Sequence, residues 1–254
     1  MKKFIAFDID DTIAVSKQWI TPRMTELLAK LLEKYEVCVI SGGLFAIHKM
    51  QIVDPLTERG GAKLEKLHVL STCGTQYYKQ ADDGSWQTIY KQPIPEEDRK
   101  KIAEILESCA RELGYWCETP AGEIIEDRET QVTFSALGQK ATPEDKYAWD
   151  PDHHKKYALR DLCQSKMPQY EFRAGGTTSI DVTVKGIDKA FGMRELMKLN
   201  KVSMSDILFI GDNLKPGGND YPVKEMGIET IAVENWEDTA QVIESIINGN
   251  EKAS

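Results

Sequence analysis

The sequence predicts an α/β protein: a doubly wound parallel sheet interrupted by a smaller inserted α+β domain. Three observations carry that reading. Short apolar runs, the length of buried parallel strands, recur at residues 3–7, 37–40 and 207–210. Amphipathic helical patterns follow or separate them, the rhythm of strand–helix–strand units. That rhythm breaks after residue 75 and returns after Gly186, with hairpin-like and antiparallel patterns in between.

Each element has its own justification. Thr21-Pro22 offers an N-cap and a proline in the first turn, and Met24, Leu27, Leu28, Leu31 and Leu32 follow at helical spacing. Residues 37–40 and 68–71 are the second and third buried strands. Residues 76–79 and 86–90 flank Asp83-Gly84, a hairpin signal. Glu96-Glu97-Asp98 charge the first turn of a helix that aligns Ile102, Ile105, Leu106, Cys109 and Leu113. Strand character appears at 115–119, 123–126 and 130–134. A helix is predicted from Asp150-Pro151-Asp152, carrying Tyr157, Leu159 and Leu162, and strands at 170–173 and 179–184 are separated by Gly175-Gly176. A helix over 189–199, strands at 207–210 and 230–233, and a last helix with Val242, Ile243, Ile246 and Ile247 complete the core. The predicted division is 1–91 with 187–254 for the core and 92–186 for the insert. Glycine at the 186 tether allows the dihedral change of a hinge.

Composition narrows the function. The chain has 254 residues, 41% hydrophobic and 29% charged, which suits a folded globular protein. Its 41 acidic against 32 basic residues give a net charge of −9, which argues against a nucleic-acid partner. No apolar run approaches the length of a membrane span, so no membrane partner is expected. Met1-Lys2-Lys3 and the apolar 4–7 begin like a signal peptide, but Asp8, Asp10 and Asp11 cut the run short. Five cysteines without a C-x-x-C pair predict reduced thiols and a cytoplasmic location. A homodimer is left open.

Chemistry concentrates at strand ends. Asp8-Ile9-Asp10-Asp11-Thr12 directly follows the first strand, where ligands of open α/β sheets bind. Two convergent carboxylates there suit a hard divalent cation or a nucleophile with an acid/base partner; the bland alternative is a solvated acidic turn. Gly211-Asp212-Asn213, followed by Pro216-Gly217-Gly218-Asn219-Asp220, adds carboxylates after another strand. Ser41-Gly42-Gly43 offers a hydroxyl and glycine N–H groups for an anion. Lys189 supplies a cation at a helix start. His153-His154 reads as a solvated helix start. Trp116, Trp149 and Tyr77-Tyr78 read as packing, and 98–101 as a solvated helix face.

Together, Asp8-x-Asp10-x-Thr12, Ser41, Lys189 and Gly211-Asp212…Asp220 resemble the four motifs of the haloacid dehalogenase superfamily. The insert then falls between the second and third motifs, the α+β cap type. Residues 216–220, the cap segment Gln131-Val132-Thr133-Phe134-Ser135 and Ser179-Ile180-Asp181-Val182 resemble the phosphomannomutase-like branch. The resemblance implies a Rossmann-like core and Mg²⁺-dependent phosphoryl transfer through an aspartyl-phosphate. It implies Asp8 as nucleophile and Asp10 as general acid/base. Ser41 and Lys189 would hold phosphoryl oxygens beside Gly42 and Gly43. Asp8, the Asp10 carbonyl and Asp212 would hold Mg²⁺, with Asp220 in support. Arg128, Ser179 and Asp181 would bind a sugar phosphate beneath a closing cap. Departures from the branch bear on the outcome. Gln139 and Lys146 stand where the branch commonly has arginine, Lys17 replaces another arginine, and Asp11 replaces a glycine. Lysine keeps the charge but loses the bidentate fork. A weakened second phosphate site favours hydrolysis over the mutase reaction. A non-catalytic sugar-phosphate sensor is the third reading, opposed by the intact Asp8, Asp10, Lys189 and Asp212.

Overall fold

A computed structural model describes residues 2–16, 18–175 and 178–249. Lys17 and Gly176, invoked above, lie outside the described residues. The chain divides into two compact units. One takes the residues up to Lys91 and those from Asp188; the other is Gln92–Ile187.

The first unit opens with β1 (Phe4–Phe7), α1 (Pro22–Lys34) and β2 (Glu36–Ile40). A helical segment follows: α2 (Phe45–His48), a π-turn over Lys49–Val53, and α3 (Asp54–Arg59). Then come β3 (Leu67–Ser71) and the hairpin strands β4 (Gln76–Gln80) and β5 (Trp86–Lys91). The second unit holds α4 (Glu96–Glu112), β6 (Ile125–Asp127), β7 (Val132–Ser135), α5 (Pro143–Trp149), α6 (His154–Lys166), β8 (Tyr170–Ala174) and β9 (Ser179–Val184). The first unit resumes with α7 (Lys189–Asn200), β10 (Ile207–Gly211), α8 (Tyr221–Glu225), β11 (Glu229–Ala232) and α9 (Trp236–Ile247). Among the described residues, no helix is long and apolar enough to cross a membrane.

In the first unit the sheet order is β11-β10-β1-β2-β3-β4-β5. Pairing is parallel from β11 to β3 and antiparallel for β4 and β5. Successive strand residues point to opposite faces, and both faces are covered. Ile5 and Phe7 pack with Leu28, Leu32, Val39 and Ile243 on one side. Phe4 and Ala6 pack with Ile40, Met193, Leu196 and Phe209 on the other. Burial on both faces is why these strands read as unbroken apolar runs. The Thr21 hydroxyl accepts from the Met24 N–H at 3.2 Å and starts α1 as expected. With β10, β1 and β2 adjacent and parallel, the residues that follow them, Asp212, Asp8 and Ser41, leave the same edge of the sheet.

The second unit is a sheet of order β6-β7-β9-β8, antiparallel throughout. Ile102, Leu106 and Cys109 of α4 and Leu159 and Cys163 of α6 pack with Phe134, Phe172, Ile180 and Val182. Residues 115–119 are not the strand expected from composition. Gly114, at φ +71°, ends α4, the Tyr115 N–H returns to the Ala110 carbonyl, and Trp116 lies against the Arg111 guanidinium at 4.7 Å. The helix expected from Asp150 is α6, which starts at His154. The buried Asp150 carboxylate caps it, accepting from the Lys155 and Lys156 N–H groups at 3.0 Å each. α5 and the 45–59 segment had no counterpart in the sequence reading.

One close approach positions a functional helix. A Cβ on Gly192 of α7 would lie 2.6 Å from Ile40 Cδ1 and 3.0 Å from the Gly74 Cα; one on Gly74 would lie 2.3 Å from the Gly192 Cα. Backbone therefore rests on backbone where the first turn of α7 meets the turn after β3. Gly192→Ala improves helix propensity by about 1 kcal/mol but overpacks a contact in which both the buried Ile40 side chain and the Gly74 backbone must give. The expected net result is a loss of about 1–2 kcal/mol in chemical denaturation, since overpacking costs about 1–3 kcal/mol. An unchanged or raised midpoint contradicts this packing account.

Candidate active site

Asp8 follows β1 and is buried, with its Oδ1 accepting from the Ile9 N–H at 2.7 Å. The Lys189 ammonium lies 2.6 Å from Asp8 Oδ1 and 2.6 Å from Asp220 Oδ1. All three side chains are almost wholly buried, at 5%, 2% and 0% exposure. Lys189 opens α7, whose N-cap Asp188 accepts from the Phe191 N–H at 2.8 Å. Burial raises the Asp8 carboxyl to about 7 against the pull of Lys189, and Asp220 pushes it further up. Burial alone would lower the Lys189 ammonium; Asp8 and Asp220 outweigh it and hold Lys189 charged, above the ordinary lysine range.

Carboxylate oxygens of Asp8, Asp212 and Asp220 lie within 4.8 Å of one another. Asp212 Oδ1 accepts from the Thr12 hydroxyl at 3.1 Å, and Asp220 Oδ2 accepts from the Asn213 N–H at 3.2 Å. Three carboxylates against one ammonium leave a net negative, all-oxygen donor set, which fits a hard divalent cation such as Mg²⁺. The carboxylate cluster differs from the set Asp8, Asp10 and Asp212 drawn from sequence. Asp220 stands in it, while the Asp10 carboxylate accepts from Gln51 Nε2 at 3.2 Å, leaving its main-chain carbonyl as the oxygen assigned above to a cation. The turn explains the side chain's direction: Asp10 bridges to Ala14, Asp11 sits at φ +60°, and its N–H donates to the Ala14 carbonyl. Asp11 has its pKa raised by partial burial and by Asp10 and Asp212.

Ser41 directly follows β2 and is buried. Its Oγ accepts from the Gly43 N–H at 3.1 Å and lies 2.7 Å from His48 Nε2. His48 Nδ1 in turn lies 3.1 Å from the Ser71 hydroxyl at the end of β3. Gly42 lies between the two residues so joined. His48, Gln51 and Ser71 escaped the sequence reading. The one available signal was the three-residue spacing of His48 and Gln51, and the π-turn between α2 and α3 blurs the helical period there.

In the second unit, Asp181 on β9 accepts from Gln131 Nε2 at 2.9 Å and from the Thr133 hydroxyl at 2.7 Å. The Arg128 N–H donates to the Gln131 carbonyl at 2.8 Å, so Gln131 links Arg128 to Asp181. Ser179 shares the Asp181 face of β9, two residues away. The Arg128 guanidinium is ion-paired with Glu126, at 2.7 Å from Nε. Among the described residues, Gln131 Oε1 is buried without a hydrogen-bond partner. Lys146 Nζ lies 3.5 Å from the Gln139 carbonyl, so a cation stands beside the position where an arginine was missed.

Comparison with known proteins follows this geometry. The chain is 25% identical to a probable phosphomannomutase of Caenorhabditis elegans, over 97% of this chain and 96% of that protein. It is 27% identical to phosphomannomutase 1 of Mus musculus, over 85% of this chain and 81% of that one. The IMP-nucleotidase of Plasmodium falciparum superposes with a TM-score of 0.73 at 15% identity, covering 100% of this chain and 64% of that one. A haloacid dehalogenase-like hydrolase from Bacteroides thetaiotaomicron gives 0.63 at 17% identity, covering 97% and 100%. These two likenesses speak to the fold, a Rossmann-like core of the haloacid dehalogenase type. The sequence model of the eukaryotic phosphomannomutase family matches residues 24–249. The chain therefore belongs to that family, as an enzyme of haloacid dehalogenase-type phosphoryl transfer.

Proposed function

We propose that this enzyme is a phosphomutase that moves a phosphoryl group between the 1- and 6-positions of a hexose phosphate, with mannose phosphate as the leading substrate. The observation that carries the chemistry is the Asp8 carboxylate held by the buried Lys189 within a cluster of oxygen donors. The mutase reading displaces hydrolysis, which the sequence had favoured because Gln139 and Lys146 replace arginines. Family membership and the full-length phosphomannomutase relatives weigh the other way, and Lys146 beside Gln139 restores local positive charge.

In this mechanism an Asp8 oxygen attacks one phosphorus of a hexose bisphosphate, the phosphorus–oxygen bond to the sugar breaks, and Asp10 gives the sugar oxygen its proton, releasing a hexose monophosphate. Asp8 then carries the phosphoryl group. Asp10 next takes the proton from the free 1- or 6-hydroxyl of a hexose monophosphate, whose oxygen attacks that phosphorus; the bond to Asp8 breaks and the bisphosphate re-forms, to be used at its other phosphate. Lys189 offsets the charge of nucleophile and phosphoryl oxygens, and Ser41 with the Gly42 N–H binds those oxygens, while the Gly43 N–H holds the Ser41 hydroxyl. Mg²⁺ held by Asp8, Asp212 and the Asp10 carbonyl would neutralise phosphoryl charge; Asp220 supports Lys189. We assign recognition of the sugar phosphate to Arg128, Ser179 and Asp181, with the unpartnered Gln131 Oε1 available to accept from a hydroxyl. The five free thiols suit a cytoplasmic enzyme.

The test is incubation with mannose 1-phosphate or glucose 1-phosphate, Mg²⁺ and a trace of hexose bisphosphate, measuring both isomerised sugar phosphate and free phosphate. Isomerisation is expected to outrun phosphate release, and chelator to stop both. Asp8→Asn is expected to lose more than about 10³-fold, because nucleophile and metal ligand are removed together. Free phosphate as the sole product with primer present contradicts the mutase reading.

Arg128→Ala separates recognition from structure. Expected is a loss of about 2–5 kcal/mol in kcat/KM for the hexose phosphate, the range for losing one partner of a desolvated charge pair. Hydrolysis of a small aryl phosphate should be spared. Equal losses on both substrates indicate that Arg128 only ties its sheet together through Glu126.

A further inference from the structure

We propose that His48 is a positioning residue that fixes the Ser41 hydroxyl as a hydrogen-bond donor to the phosphoryl group. This rests on the reading of Ser41 as a phosphoryl-oxygen ligand and adds what makes it one. A serine hydroxyl has one hydrogen and two acceptor sites. The Gly43 N–H occupies one acceptor site at 3.1 Å. His48 Nε2, at 2.7 Å, takes up what remains in one of two ways. With hydrogen on Nε2, the imidazole fills the second acceptor site. The hydroxyl hydrogen then points away from both partners and is free for an anion. With hydrogen on Nδ1, the hydroxyl hydrogen is spent on the imidazole, and Ser41 turns a lone pair toward a phosphoryl oxygen. Only the first tautomer makes Ser41 a donor.

Three features hold the imidazole for that task. Ser71 Oγ lies 3.1 Å from Nδ1, where its hydroxyl donates to the bare nitrogen of the Nε2–H tautomer. Both His48 and Ser71 are 0% exposed, so water does not compete for the ring. Gly43 makes room for the ring beside Ser41: a Cβ there would lie 3.0 Å from Nε2 and 3.4 Å from Cδ2. The same helical segment carries Gln51 to Asp10, so a single element orients a phosphate ligand and the acid/base group. The π-turn over Lys49–Val53 starts directly after His48 and contains Gln51; such turns recur at functional sites.

Two measurements test this, each with an aryl phosphate substrate that needs no sugar recognition. Nitrogen NMR of the labelled enzyme reads the tautomer directly. Hydrogen on Nε2 is expected; hydrogen on Nδ1 in the active enzyme overturns the proposal. The second is a mutant cycle, with thermal midpoints recorded for each variant. His48→Leu is expected to lower kcat by about 10–100-fold with a smaller change in KM, less than the 10²–10³ known for deleting an anion-hole donor outright. His48→Gln retains an N–H able to reach Ser41 and is expected within about fivefold of wild type, since a neutral donor is preserved. In a Ser41→Ala background, His48→Leu is expected to cost less than about twofold, because the two residues act as a unit. An undiminished loss in that background, or folded His48→Gln as impaired as His48→Leu, overturns the proposal. If His48→Leu does not fold, the tautomer and the His48→Gln comparison decide. A fully active Ser41→Ala removes the reading of Ser41 itself; an impaired Ser41→Ala with an additive cycle removes only the role of His48.

Discussion

The buried ammonium of Lys189, shared between Asp8 and Asp220, is the interaction on which the rest of the site depends. Taking one ion out of water costs several kcal/mol even after relaxation, and three are buried here. Neither carboxylate is tolerable in that place without the cation, and the cation is held charged only by both of them. The chain meets this cost with backbone features. Asp188 caps α7 so that Lys189 starts it, the Gly74–Gly192 contact seats that turn, and Asn213 gives its N–H to the free oxygen of Asp220. Asp8, the proposed nucleophile, its counter-ion Lys189 and the supporting Asp220 thereby form one unit before any substrate arrives, which is the preorganisation that phosphoryl transfer rewards.

The sheet does the gathering. Adjacent parallel strands β10, β1 and β2 release Asp212, Asp8 and Ser41 on one edge, and α7 returns Lys189 to it. Three carboxylate groups converge there although most of the chain separates Asp8 from Asp212 and Asp220. Burial raises the Asp8 carboxyl and Asp220 adds to it, so a divalent cation in the cluster would also restore the ionised form of Asp8. A second layer lies behind them. Gln51 holds Asp10, Thr12 holds Asp212, and His48 and Ser71 hold Ser41.

What was legible in the sequence follows from how local each signal was. Asp8, Ser41 and Asp212 each follow an apolar run, and Lys189 opens a helix, so position and residue type agreed at every one. α1 was legible because Thr21, Pro22 and five leucine or methionine positions agreed on one period. His48, Gln51 and Ser71 were not legible, because their meaning comes only from partners brought close by packing. The π-turn shifts the helical period between His48 and Gln51, which hid the segment altogether. Residues 115–119 carry strand-like side chains but follow Gly114, whose left-handed backbone turns the chain into the cap core instead. Asp150 has helix-capping chemistry and does cap, but from a few residues before the helix proper. In the second unit, the resemblance pointed to Arg128 and Asp181, and the fold links them through Gln131. The internal partners that occupy them, Glu126 and Thr133, were missed.

The most direct test of the buried ion triad is urea unfolding of Lys189→Met in magnesium-free buffer at neutral pH, alone and combined with Asp8→Asn. Removing the ammonium leaves two carboxyl groups facing each other out of water, so the single variant is expected to lose about 3–5 kcal/mol. Adding Asp8→Asn removes one of the stranded charges and is expected to recover part of that loss. A Lys189→Met protein within about 1 kcal/mol of wild type, the range of an ordinary exposed ion pair, contradicts the account. So does a double variant no more stable than the single one.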